Sequence, residues 1–154
     1  MSNKVRLIAL VFCALLMSAP AVYAQGGVKS GPDPATIRDP DLEKDSLHNL
    51  EVARNYFKLK KAYVAALRRC EEIIAGDPNF SKIQEVLFIA GRSSLSLAEN
   101  KGKQSSSLYS KSTTPEQFRD MGRDYLTKLV KDYPDSVFAK EAQDDLRALG
   151  DGKP

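Results

Sequence analysis

Tyr63-Val64-Ala65-Ala66-Leu67-Arg68-Arg69-Cys70-Glu71-Glu72-Ile73-Ile74-Ala75-Gly76-Asp77-Pro78 is the stretch that decides the fold. Tyr63, Ala66, Leu67, Cys70, Ile73 and Ile74 return at intervals of three and four, which places them on one stripe of an α-helix. Gly76, Asp77 and Pro78 stop that helix, since proline has no backbone N–H to continue it.

The same reading extends in both directions. Upstream, Asp39 supplies a helix cap and Pro40 a first-turn proline, opening a helix with Leu47, Leu50, Ala53 and Phe57 inward that runs to about Leu59 and the Lys60-Lys61 corner. Downstream, Ser81 and Gln84 have the spacing of a capping box, and Ile83, Leu87, Ala90, Gly91 and Ser94 trace a third helix that fades near Asn100. Its small residues suit close helix packing. Residues 101–113, centred on Ser105, Ser106 and Ser107, read as a mobile polar loop, either a binding element or an insertion.

Thr114, Pro115 and Gln117 form a second capping box, followed by Phe118, Gly122, Tyr125, Leu126, Leu129 and Tyr133 on one face up to Pro134. Asp135 and Ser136 are expected to cap a fifth helix with Phe138, Ala142, Leu146 and Leu149 inward; Gly150 closes it before the tail, 151–154. No useful run alternates apolar and polar residues as a strand would. The fold class is all-α, one helical domain over 39–150.

The length of 154 residues suits one domain, and 42% hydrophobic with 28% charged residues is ordinary for a globular chain. Residues 1–24 read as a secretory signal: Lys4 and Arg6, an apolar run from Leu7 to Met17, then a turn-prone end with Pro20. Cleavage is expected between Ala24 and Gln25, with a Gly- and Pro-rich leader over 25–38. Losing Lys4 and Arg6 takes the formal charge from +3 to +1, which leaves no basic excess for nucleic acid. Cys13 follows Leu10, Val11 and Phe12, too bulky for a lipobox, so Cys70 remains the single thiol of the exported chain, read as a small buried hydrophobe.

Phe57, Tyr63, Ala66 and the terminal Pro78 together resemble a tetratricopeptide repeat. Tyr63-Val64-Ala65-Ala66 and Tyr133-Pro134-Asp135-Ser136 are similar to the repeat corners of the outer-membrane-protein assembly lipoprotein family BamD, a likeness spanning roughly Leu47 to Leu149. That family begins its mature chain at a lipidated Cys and has about five repeats, whereas this chain lacks a lipobox and has room for about two and a half. The resemblance implies tetratricopeptide-like antiparallel helical hairpins, about five helices in a short right-handed superhelical array. It also implies a concave face toward which Asn55, Lys58 and Arg92 point, able to meet a partner's carboxylates or backbone.

No residues are assigned to catalysis. His48 is the only histidine and is expected on an exposed turn of the first helix. Glu71-Glu72 and Asp144-Asp145 are adjacent on helices and splay apart, reading as solvated faces. No phosphate loop, Cys-x-x-Cys or calcium loop occurs, so no cofactor, metal or small-molecule substrate is expected. The expected partners are other proteins or peptide segments. The function read from this is an exported, periplasmic adaptor in cell-envelope or outer-membrane protein assembly, peripherally associated with the inner face of the outer membrane. The alternatives are a scaffold for division or secretion machinery and a small hydrolase.

Overall fold

The Asp39 carboxylate accepts a hydrogen bond from the Asp41 N–H at 2.9 Å, and with Pro40 in the first turn this opens α1 (Pro40–Arg54). Asp41 and Glu43 lie at its positive end, where acidic groups offset the helix dipole. The computed structural model that shows this describes residues 39–151. The signal, its Ala24–Gln25 cleavage point, the leader and the tail beyond Asp151 lie outside them.

The expected single α-helix to Leu59 is corrected: after Arg54 the chain widens into a π-helical turn, Asn55–Lys60, closed by Lys61 in the left-handed region at φ 52°. The wider turn goes with two consecutive rings, Tyr56 and Phe57, both packed half-buried against the core. Four further helices follow: α2 (Tyr63–Gly76), α3 (Ile83–Ala98), α4 (Pro115–Asp132) and α5 (Ala139–Asp151), with a short 3₁₀ turn at Ser106–Leu108. Each packs chiefly on its neighbours in sequence, giving antiparallel hairpins, and the described residues include no strand.

The stripes place most of the expected side chains inward: Ala66, Leu67, Cys70 and Ile73 from α2, Ile83, Leu87 and Ala90 from α3, and Phe118, Leu126 and Leu129 from α4 are buried. α3 lies between α2 and α4, and every residue from Val86 to Gly91 is buried, as befits a helix covered on all sides. Its approach to α4 is set by two glycines. A Cβ on Gly91 would stand 2.7 Å from Leu126 Cγ, and one on Gly122 would stand 2.5 Å from Leu95 Cδ2.

Three expectations are corrected, two of them by tertiary partners. Leu47 is 40% exposed, because α1 turns Ser46, Leu50 and Ala53 inward. Ser46 donates to the buried Asp77 carboxylate at 3.0 Å, which ties α1 to the α2–α3 corner through a polar contact. Ser81 does not cap α3; its hydroxyl is taken by the Glu43 carboxylate from α1, and Lys82 stands at the cap position with no side-chain bond. Ser136 accepts from Phe138 N–H at 3.2 Å, but α5 starts only at Ala139. The Thr114–Gln117 box is formed as expected, with Thr114 N–H to Gln117 Oε1 at 2.8 Å and Gln117 N–H to Thr114 Oγ1 at 3.3 Å.

The largest departure is the loop 101–113. The chain there forms a strap laid on α2. It leaves α3 through Asn100 at φ 52°, with Asn100 N–H to Leu97 O and Lys101 N–H to Ser96 O closing the helix end. Gly102 follows at φ 97°, where a side chain would meet the Lys61 carbonyl and the Tyr63 ring. Further on, Lys103 N–H donates to Lys61 O at 2.9 Å, Arg68 donates to Leu108 O at 2.8 Å, and the Tyr109 hydroxyl donates to Glu71 at 2.7 Å. Gln104 Oε1 accepts from Ala65 N–H at 3.0 Å in the first turn of α2, whose own cap residue, Ala62, has no polar side chain. The strap therefore caps α2 from a distance in sequence. Gln104→Ala is expected to lower stability by ~1 kcal/mol, the usual value of a side-chain cap, read from the urea midpoint; an unchanged midpoint would remove the capping role.

Candidate functional site

Only one of the expected site residues contributes directly to a cleft. Phe57 from the π turn, Tyr63 at the start of α2, Arg92, Leu95 and Ser96 from α3, Glu99, Lys101, and Asp145 from α5 line an open cleft of about 360 Å³. The π turn and the first residue of α2 supply one side, α3 and the segment that follows it the floor, and α5 the other side. Asn55 and Lys58 do not line the cleft. They stand exposed on the π turn either side of Phe57, and neither forms a side-chain hydrogen bond or ion pair among the described residues.

Arg92 is not open to a partner's carboxylate as expected. It pairs with Glu141 and lies with Nε 3.0 Å from Asp145 Oδ2, both on α5, while its guanidinium covers the Phe88 ring at 5.2 Å. Glu141 and Asp145 are one turn apart, and together they hold a single cation between α3 and α5. A second clamp joins α1 to α3. Arg54 Nε meets Glu85 Oε1 at 2.7 Å, and Nη2 meets Oε2 at 2.5 Å, a two-pronged pair with Glu85 only 15% exposed. The face is thus cross-linked from α1 through α3 to α5.

The two clamps differ in electrostatic quality. The Arg54 hydrogen bonds hold the Glu85 carboxyl below its ordinary range despite burial, with Lys58 and Lys82 adding to the pull. For Asp145, burial dominates and pushes the carboxyl above its ordinary range, with Arg92 opposing and Glu141 adding repulsion. Geometry accounts for the difference. Asp145 Oδ1 accepts only a long bond from Arg92 Nη2, 3.4 Å, and Oδ2, though close to Arg92 Nε, has no hydrogen-bond partner among the described residues.

The adjacent acidic pairs splay as expected, yet only half of each is solvated. Glu72 and Asp144 are exposed, whereas Glu71 bonds Tyr109 and Asp145 turns into the cleft, so the reading of both pairs as solvated faces is corrected. Against Glu71, burial first and the hydrogen bond second push the Tyr109 phenol up to about 12. Cys70 is fully buried and burial drives its thiol upward, while His48 is exposed on α1. Among the described residues no group of three or more His, Cys, Asp or Glu could hold a metal, and no helix is long and apolar enough to cross a membrane.

The sequence-based reading missed Glu85, Glu141 and Asp145 as the residues that define this face. Their spacing on each helix is visible, but the pairing of Arg54 with Glu85 and of Arg92 with Asp145 depends on how helices far apart in sequence approach. No protein-family model, curated protein or solved structure matches the chain.

Proposed function

We propose that this domain is a protein-binding module that holds an extended or helical segment of a partner along the face of α1, α3 and α5. The observation that carries the reading is that face: a cleft of about 360 Å³ with an aromatic wall of Phe57 and Tyr63, set by ion pairs that cross three helices. Concave faces built from alternate helices of stacked hairpins suit peptide segments, since they offer apolar contacts and polar anchors in a fixed spacing.

A tetratricopeptide-like organisation supports the same reading. Ala66, Cys70, Ile73 and Pro78 recur at identical spacing as Gly122, Leu126, Leu129 and Pro134, the small residue of each set being fully or nearly fully enclosed at a helix crossing. Together with the Tyr63-Val64-Ala65-Ala66 and Tyr133-Pro134-Asp135-Ser136 corners, this favours an exported adaptor in cell-envelope or outer-membrane protein assembly.

Site-specific photo-crosslinking tests it. A crosslinker at Asn55 or Lys58 is expected to trap a partner in cells, while one at Lys128 on the far side of α4 traps none. Envelope-assembly proteins among the adducts support the placement; adducts confined to division or secretion proteins redirect it. Equal capture at Lys128 would end the assignment of this face.

A further inference from the structure

The π turn and the strap bring five lysines to one corner. Lys58, Lys60 and Lys61 lie on the turn and its cap, and Lys101 and Lys103 open the strap; all five are exposed. The Lys103 N–H to Lys61 carbonyl bond, 2.9 Å, stitches the two segments together. Neither residues 55–70 nor residues 100–115 include a single Asp or Glu. The carboxylates met here are Glu99, 2.5 Å from Lys101 Nζ, and Glu85, which Lys58 also acts on but whose charge Arg54 already offsets.

Lysines commonly gather at helix C-termini, so part of this charge has a local explanation. α1 with its π turn and α3 both end here, and each helix end carries roughly half a negative charge. Two helix ends and Glu99 offset about two of the five cations by that count, leaving about three without local compensation. Lys60 over the Tyr56 ring, at 4.9 Å, takes up some direction but no charge.

The corner also adjoins a recess. Lys101 is itself a wall of the cleft, which has Phe57, Tyr63 and Leu95 as an apolar patch beside the polar Arg92, Ser96, Glu99 and Asp145, so an anionic chain lying on the corner has an aromatic surface next to it. A bilayer is flat and cannot enter a recess of that kind, whereas a side chain can. We propose that the corner binds an acidic segment of a partner protein that seats one aromatic or large aliphatic side chain against Phe57 and Tyr63. The inference rests on the protein-binding reading and names the partner's chemistry.

The test uses the full chain with fluorescent peptides of three kinds: acidic with a central Phe, the same acidic peptide with Gly in its place, and neutral or basic peptides with the Phe kept. The acidic Phe peptide is expected to bind best, and to weaken about tenfold or more as salt rises from about 50 to about 300 mM. The Gly peptide should bind about tenfold less tightly. Lys58→Glu with Lys61→Glu and Lys103→Glu should abolish the salt-dependent part, while Lys128→Glu with Lys131→Glu and Lys140→Glu should leave binding intact; circular dichroism confirms that both triple variants fold. Preference for neutral or basic peptides overturns the acidic partner and leaves the binding face standing. Sedimentation with phosphatidylglycerol vesicles without peptide binding assigns the corner to a lipid surface and overturns the proposal. Binding to none of these probes overturns the proposal and withdraws support from the face as well.

Discussion

Gly91→Leu is expected to lower the stability of the domain by at least ~3 kcal/mol, with a fall in Tm on the order of 10 °C or more. The first atoms beyond the backbone at Gly91 would stand 2.7 Å from the Leu126 side chain and 3.3 Å from the Gly122 carbonyl. Leu126 is fully buried, so it has no space to move into, and α3 would have to lift from α4. Gly91→Ala should cost less, ~1–2 kcal/mol, because alanine recovers about 1 kcal/mol of helix propensity against a similar clash.

Gly122 makes the informative contrast. Its closest obstacle is Leu95, half-buried at the edge of the open cleft and able to turn into that space, which leaves the Gly91 carbonyl at 3.1 Å as the one fixed neighbour. Gly122→Ala is therefore expected to lose ~1 kcal/mol or less. Gly76→Ala, with nothing within 4 Å of the new atom, should hold or gain slightly. Urea denaturation of the four variants orders them; a wild-type midpoint for Gly91→Leu would refute the close crossing.

Glu85→Gln and Asp145→Asn are expected to move stability in opposite directions at neutral pH. Glu85 has a folded pKa below its ordinary value, so its contribution is complete above the ordinary Glu range and disappears as pH falls through the folded value. Glu85→Gln should cost ~1–3 kcal/mol at pH 7, as for charged hydrogen bonds that are partly buried, and the gap to wild type should close on acidification. Asp145 has a folded pKa above its ordinary value, so its favourable contribution exists below the ordinary Asp range and is lost as pH rises through the folded value.

Asp145→Asn should thus match wild type or exceed it by ~1 kcal/mol at pH 7, since the amide needs no charge solvation and Glu141 still pairs Arg92. The advantage should vanish in acid. Urea midpoints at pH 7 and near pH 4 distinguish the two residues, and a larger loss for Asp145→Asn at pH 7 than in acid would show that Arg92 holds its charge well after all.

Helix identity was readable because apolar residues return once per turn and because Asp39 and Thr114 act within three residues of themselves. The Thr114 box and the glycine-bearing α3 face needed no knowledge of other elements. Ser81 shows the limit: its spacing to Gln84 is that of a cap, but Glu43, thirty-eight residues away, takes the hydroxyl. Leu47 and Ser46 show a second limit: both border the Leu50–Ala53 stripe, and the hydrogen bond to buried Asp77 goes with Ser46 inward and Leu47 part-exposed. The strap was hidden for a related reason. Its low-complexity composition has no periodicity, and what fixes it are backbone carbonyls and the Ala65 N–H, which any sequence possesses. Of the site, Arg92 and the Phe57 ring were visible, but the carboxylates that hold Arg92 belong to a helix that only the folded chain brings near.

Because the middle of α3, Val86 to Gly91, is buried all round, cutting the chain at the strap would strip one flank from it and leave an oily rod half bare. Neither fragment could then hide that surface alone. The two hairpins are accordingly one cooperative unit, and the slowest amide hydrogens to exchange with solvent should belong to α3, released only when the entire domain comes apart.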